Sequence, residues 1–206
     1  MKKSKLLSFI VLSVVAGVHS YAQSRVRGLT SAEMEEAKNA IVQSHPADLK
    51  EFAFSYIEPQ SFHVTTDDAD FINVVSIEYV ARDENFNGLR RRCAVAIQDQ
   101  QGKVELVHSI GYNAYEIVGC RATKAVGVMD VDGQKSPRLL FLYAGSYTPT
   151  ESGVFPVVLE WDVGAGRYVL NQKISSHLEN AHGTDTIAGM KRALRAYDEA
   201  HKRKNR

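Results

Sequence analysis

The chain has 206 residues, 44% of them hydrophobic, with 25 basic side chains against 24 acidic ones. So even a balance argues against a nucleic-acid binder, which is expected to carry a basic face and a high isoelectric point. The length is ample for one self-sufficient core, and no Pro-rich or Ser-rich linker divides it.

Residues 1–22 have the pattern of an export signal. Lys2, Lys3 and Lys5 form a basic start, Leu6 to Val18 an apolar run, and Ser20-Tyr21-Ala22 a small-x-small cleavage site. The run is short for a permanent span, and no later stretch reaches about 18 uninterrupted apolar residues, so no stable membrane insertion is expected after cleavage. No cysteine follows the run to take a lipid anchor, and there is no twin arginine. The expected mature protein is residues 23–206, a single domain in a periplasm or outside the cell. Loss of three lysines and no acid turns its charge slightly negative.

Thr30-Ser31-Ala32-Glu33 is a capping box, followed at helical spacing by Met34, Ala37, Ile41 and Val42, with His45-Pro46 as the stop. Residues 47–56 fit either a short second helix or the start of a strand carrying Phe52, Phe54 and Tyr56. From Phe62 the period becomes two. Phe71, Val75, Ile77 and Tyr79 share one strand face; Cys93, Val95 and Ile97 share another; Val104, Leu106, His108 and Ile110 alternate in a third strand. A short strand is expected near residues 115–121. Phe155, Val157, Leu159 and Trp161 alternate again, and Gly164-Ala165-Gly166 turns the chain into Tyr168, Leu170 and Ile174. Residues 175–184 are expected to be a polar loop. Thr184 or Asp185 then caps a last helix striped with Ile187, Met190, Leu194 and Tyr197.

The centre of this pattern is residues 124–144. Val126 and Val128 lead into a turn holding Asp130, Asp132, Gly133, Ser136 and Pro137, and Leu139 to Tyr143 leaves it without a polar residue. A strand apolar at every position is buried on both faces, which places it inside its sheet. The predicted fold is α+β: a single antiparallel meander sheet of about seven strands, with an N-terminal helix and a C-terminal amphipathic helix packed on it.

The acidic turn resembles the D-x-D-x-D-G loops of calcium-binding β-repeats of the FG-GAP and VCBS kind, in which alternate oxygen ligands surround a hard cation. Asp130 and Asp132 match the first two ligands. Gln134 stands at the third, Lys135 at the turn glycine and Arg138 at the final carboxylate. The residues therefore leave open a weak metal site at Asp130 and Asp132 or a plain turn in which both bond the backbone. The path from the turn to the closing helix, roughly residues 124–200, also resembles a group of small exported bacterial proteins associated with surface-polysaccharide biosynthesis. That resemblance implies a cell-envelope role and supplies no catalytic residues.

Cys93 and Cys120 are the only cysteines, and in an exported protein an even count favours a disulfide over two buried thiols. His177, Glu179, His182 and Asp185 are the densest set of potential metal ligands, but their spacing is not that of a zinc-protease pair. Ser146 lacks the G-x-S-x-G elbow, and there is no C-x-x-C and no phosphate loop. No cofactor is expected. Two stretches mix tyrosine with small polar residues, a composition suited to adaptable contacts with proteins or sugars. They nominate Tyr112, Asn113, Tyr115, Ser146 and Tyr147 for binding. Arg90-Arg91-Arg92 is either an anion patch or edge protection by charge. The expected function is a non-enzymatic, exported envelope binding protein whose partner is an envelope protein, a toxin neutralised as by an immunity protein, or a glycan. The alternative is an envelope-polymer hydrolase using an unrecognised acid pair or the His177/His182 segment.

Overall fold

A computed structural model describes residues 24–44, 53–65, 70–83, 88–111, 118–132, 134–146 and 152–204. The proposed signal, residues 1–22, lies outside them. Among the described residues no helix is long and apolar enough to cross a membrane.

The expected α+β class and antiparallel pairing hold, but the described residues form two sheets with ten strands in all. The first sheet contains β1 (Arg25–Gly28), β2 (Ala53–Tyr56), β3 (Phe62–Thr65), β4 (Phe71–Asp83), β5 (Gly88–Asp99) and β6 (Val104–Ile110). Its order is β1-β3-β4-β5-β6, with β2 beside β3 on the same edge of β4. The second contains β7 (Gly119–Met129), β8 (Arg138–Ser146), β9 (Ser152–Asp162) and β10 (Arg167–Leu170), in the order β10-β9-β8-β7.

A single meander fails for a physical reason: too many strands are apolar on both faces. Leu139, Phe141 and Tyr143 of β8 join Phe155, Val157 and Leu159 of β9 and meet Val74, Cys93, Val95 and Ile97 of the first sheet in the central core. Leu140 and Leu142 point the other way, beneath the C-terminal helices. Ala94 and Ala96 point oppositely to Cys93 and Val95, beneath the N-terminal helix. Each sheet thus needs a second sheet on one face and helices on the other, giving four layers.

Helix α1 (Ser31–Ser44) sets Met34, Ala37 and Ile41 on Val75, Ile77 and Tyr79. Val42, expected on that stripe, is 51% exposed, and Ala40 instead packs partly against the same core. The capping box forms: the Thr30 N–H donates to Glu33 Oε2 at 2.8 Å, and the Glu33 N–H donates to Thr30 Oγ1 at 3.3 Å. Arg27 adds two guanidinium bonds to the same carboxylate, at 2.6 and 2.7 Å. The Arg27 bonds, followed by those from Thr30, hold the Glu33 carboxyl well below the usual carboxylate range.

Ile174 does not extend a strand, and residues 175–184 are not simply a loop. Asn171 Oδ1 accepts from the Ile174 N–H at 2.9 Å and starts α2 (Gln172–Glu179), whose Ile174 and Leu178 are buried. One apolar pair at i, i+4 among polar residues is a weak periodic signal, so only the cap betrays this helix. Helix α3 (Ile187–Lys204) buries Met190 and Leu194, with Ile187 and Tyr197 partly covered. Its cap is Thr186, whose Oγ1 accepts from the Gly189 N–H at 3.1 Å. Thr184, expected as a cap along with Asp185, instead donates to the carbonyls of Leu178 and Ala181.

β-Bulges redirect side chains that strict alternation misplaces. Cys93 pairs with Ile110 and Ala94 with His108, so Ser109 is extra and Ile110 switches into the inter-sheet core. Of the strand expected near residues 115–121, residues 119–121 open the longer β7, which carries two register shifts, and residues 115–117 lie outside the described residues. Cys93 on β5 and Cys120 on β7 form the expected disulfide, with Cα atoms 5.8 Å apart, and it ties the two sheets together.

Reduction or Cys93→Ala/Cys120→Ala is expected to lower unfolding free energy by about 3 kcal/mol, the loop-entropy value for a closure of this size; urea denaturation with and without reductant checks it. The depressed Glu33 group contributes stability above the unfolded carboxylate pKa of about 4.3, and that contribution is lost as pH falls below it. Glu33→Gln should therefore lower stability at pH 7 and flatten its acid limb, as read from melts between pH 7 and pH 3.

Candidate functional site

The strands give the sandwich two ends. At one, β4 leads towards β5, β6 towards β7, and β8 towards β9. Tyr112, Asn113, Tyr115 and Tyr147 lie outside the described residues. Ser146 is half-buried at the last position of β8, opposite Gly119 and Ser152. The arginine run meets the same end. Arg91 Nη1 donates to the Arg121 carbonyl at 3.1 Å, and Arg90 lies over Gly119. β6 pairs with β5 only between Cys93 and Gln98, so Arg90 to Arg92 occupy a stretch of β5 beyond β6. Charge along a strand edge is what the protective reading requires there.

The acidic turn is built as a cross-link. Asp130 accepts from the Ser24 N–H at 3.2 Å, and Asp132 accepts from Lys202 Nζ on α3 at 2.8 Å. Arg138, at the position of the calcium loop's last carboxylate, is buried and bridges Glu160 on β9 to Asp198 on α3, the latter at 2.7 Å. Asn171 Nδ2 also donates to Glu160. Burial alone would lower the Arg138 pKa, but Asp198 and Glu160 outweigh it and raise the pKa. The described residues contain no group of three or more His, Cys, Asp or Glu side chains placed for a metal ion. Asp130 holds Ser24, and Asp132 the last helix, to the turn.

The histidine set disperses as well. The His177 ring lies tilted against Tyr197 at 4.9 Å, Tyr197 stacks on His201 at 4.0 Å, and His182 is exposed in the turn before α3. His108 Nδ1 lies 3.0 Å from Tyr79 Oη at the edge of the α1 core.

A cleft of about 290 Å³ opens at the opposite end, between the two sheets. Its position follows from the alternation along β9. Phe155, Val157 and Leu159 are fully packed in the inter-sheet core, and the next residue in phase is Trp161, at the strand end, 37% exposed. The first sheet does not extend far enough to cover it. Tyr168, paired with Trp161 across β9 and β10, meets its indole edge-on at 5.4 Å and donates its hydroxyl to the Pro137 carbonyl at 3.0 Å. Phe71 and Ile72 form the facing wall, and Lys135, Ser136, Asp70 and Gln100 bring polar groups to the rim. Gln100 Nε2 donates to Asp70 Oδ1 at 2.9 Å, and Asp99 Oδ1 accepts from the Gln101 and Lys103 N–H groups, which shapes the β5–β6 turn. Burial drives the Tyr168 phenol up, with a smaller opposing contribution from Ser136. The site combines an exposed indole face with fixed polar groups around it, a composition typical of small-molecule clefts. Sequence reasoning placed Trp161 on its strand but not in a site; the available signal was the sole tryptophan ending an inward stripe directly before a turn.

Comparison with known protein families, with curated proteins and with solved structures finds no match.

Arg138→Met is expected to cost about 3 kcal/mol, because it leaves two carboxylates facing each other without their cation. Lys202→Met, which breaks only an exposed pair with Asp132, should stay within about 1 kcal/mol. Urea denaturation of both variants checks the contrast.

Proposed function

We propose that this protein is an exported, non-enzymatic binding protein of the cell envelope that holds a saccharide in the Trp161 cleft. The observation that carries the reading is the half-exposed indole of Trp161, with Tyr168 edge-on to it and Asp70, Gln100, Lys135 and Ser136 around the opening. A sugar ring presents an apolar face of C–H groups and an equatorial belt of hydroxyls. An aromatic face covers the first while side chains at the rim exchange hydrogen bonds with the second. The export pattern of residues 1–22 and the resemblance of residues 124–200 to exported polysaccharide-associated proteins support the envelope setting. The absence of any nucleophile or metal motif in the sequence supports binding over hydrolysis.

This reading moves the main contact from Tyr112, Asn113, Tyr115, Ser146 and Tyr147 to the Trp161 cleft. Trp161 is the only tryptophan, so its fluorescence reports the site directly. Titration with neutral envelope-type sugars should shift or quench that emission. Trp161→Ala should weaken binding by about tenfold, near 1.4 kcal/mol, as measured by calorimetry with the circular dichroism spectrum unchanged. Sugar release from a polymer by the purified protein, lost in a variant at this cleft, would decide for the hydrolase instead.

A further inference from the structure

The first sheet carries a feature that neither the core nor the Trp161 cleft requires. On its helix-facing side the apolar floor of Val75, Ile77, Ala94 and Ala96 gives way, towards the Trp161 end, to a row of polar side chains across three strands. His63 on β3, Asn73 on β4 and Gln98 on β5 are 9%, 5% and 5% exposed. Asn73 Nδ2 donates to Gln98 Oε1 at 3.2 Å, so its Oδ1 accepts from His63 Nδ1 at 2.9 Å. The other imidazole nitrogen faces the Thr65 hydroxyl at 3.0 Å, and Phe71 stacks on the ring at 5.0 Å.

The row is internally paired except at its end. Gln98 Oε1 takes the Asn73 bond, which leaves Gln98 Nε2 to donate into the cleft that Gln98 lines. Gln98, Asn73 and His63 form the floor of a cleft of about 230 Å³, walled on its helix side by Glu33 and Glu36. Phe71, Asp99 and Gln100 line both this cleft and the one holding Trp161, so the two meet around the end of β4 and the β5–β6 turn.

We propose that this second cleft is a polar subsite for the next residue of the same saccharide chain, with Gln98 Nε2 donating to a hydroxyl or acetamido oxygen. The inference rests on the saccharide reading of the Trp161 cleft and names the ligand class more closely. Each cleft lies below the roughly 300–1,000 Å³ that encloses a drug-sized ligand, and each suits one ring. Glu33, Glu36 and Asp99 line the second cleft, and the described residues that line it include no Lys or Arg. The subsite therefore accepts an uncharged sugar and repels a uronate.

The test is titration of the intact protein with N-acetylglucosamine and glucose oligomers of one to five residues, with oligogalacturonates as the charged counterpart. Trp161 emission and calorimetry are the readouts. Affinity should rise about tenfold between one residue and two or three, and the uronates should bind at least about tenfold more weakly at equal length. Gln98→Met should abolish the gain with length while leaving single-sugar affinity unchanged. Glu36→Phe, which fills the cleft from an exposed helix position without touching the core and adds no second tryptophan, should do the same. If single sugars move Trp161 emission but length brings no gain, or the gain survives in both folded variants, the second subsite is wrong and the Trp161 reading stands. If no saccharide of either series binds at any length, both are wrong.

Discussion

Burial of β8 on both faces is the constraint from which the rest of the architecture follows. Leu139, Phe141 and Tyr143 must meet apolar surface on one side while Leu140 and Leu142 meet it on the other. No single sheet with helices on one face can do both. Once a second sheet covers the first set, its own outer face, with Val75, Ile77 and Ala96, also needs cover, and α1 supplies it. Apolar burial, which contributes about 25 cal/mol for each Å² removed from water, thus selects four layers over the simpler two.

Polar contacts then fix how those layers sit, because apolar packing is tolerant of small displacements. The Cys93–Cys120 bond joins β5 to β7 across the central core. Arg138 joins β8 to β9 and α3 through Glu160 and Asp198, and Asp132 with Lys202 holds the far end of that helix. At the open edge, Arg167 of β10 reaches Glu105 of β6 at 3.3 Å. A sequence pattern shaped like a cation loop has here become a set of ion pairs, in which the guanidinium of Arg138 stands where a calcium loop has its final carboxylate.

The proposed binding surface arises where these layers stop matching. The inward stripe of β9 outruns the first sheet and leaves Trp161 over open space. On the other side of the same sheet end, the apolar floor outruns α1 and is replaced by His63, Asn73 and Gln98. One end of the sandwich therefore offers an aromatic face and a hydrogen-bonding row joined around Phe71 and Gln100, a pairing that fits the two-sided chemistry of sugars.

Local pattern alone determined much of this protein. The Thr30–Glu33 capping box, the double-faced strand at Leu139 to Tyr143, the alternation ending at Trp161 and the stripe of the last helix each arise from contacts a few residues apart, and each was legible. The number of sheets was not, because alternation tells which side chains share a face but not what covers that face. Helix α2 was hidden since its one apolar pair needs β9 beneath it, and the inward turn of Ile110 was hidden since a bulge depends on the partner strand. The partners of Asp130, Asp132 and Arg138 lie on Ser24, Glu160, Asp198 and Lys202, 22 to 106 positions away in the chain. The Trp161 cleft and the Gln98 row belong to the same class: only the tertiary structure, by leaving two strand ends uncovered side by side, made a surface of residues that the sequence shows as ordinary strand positions.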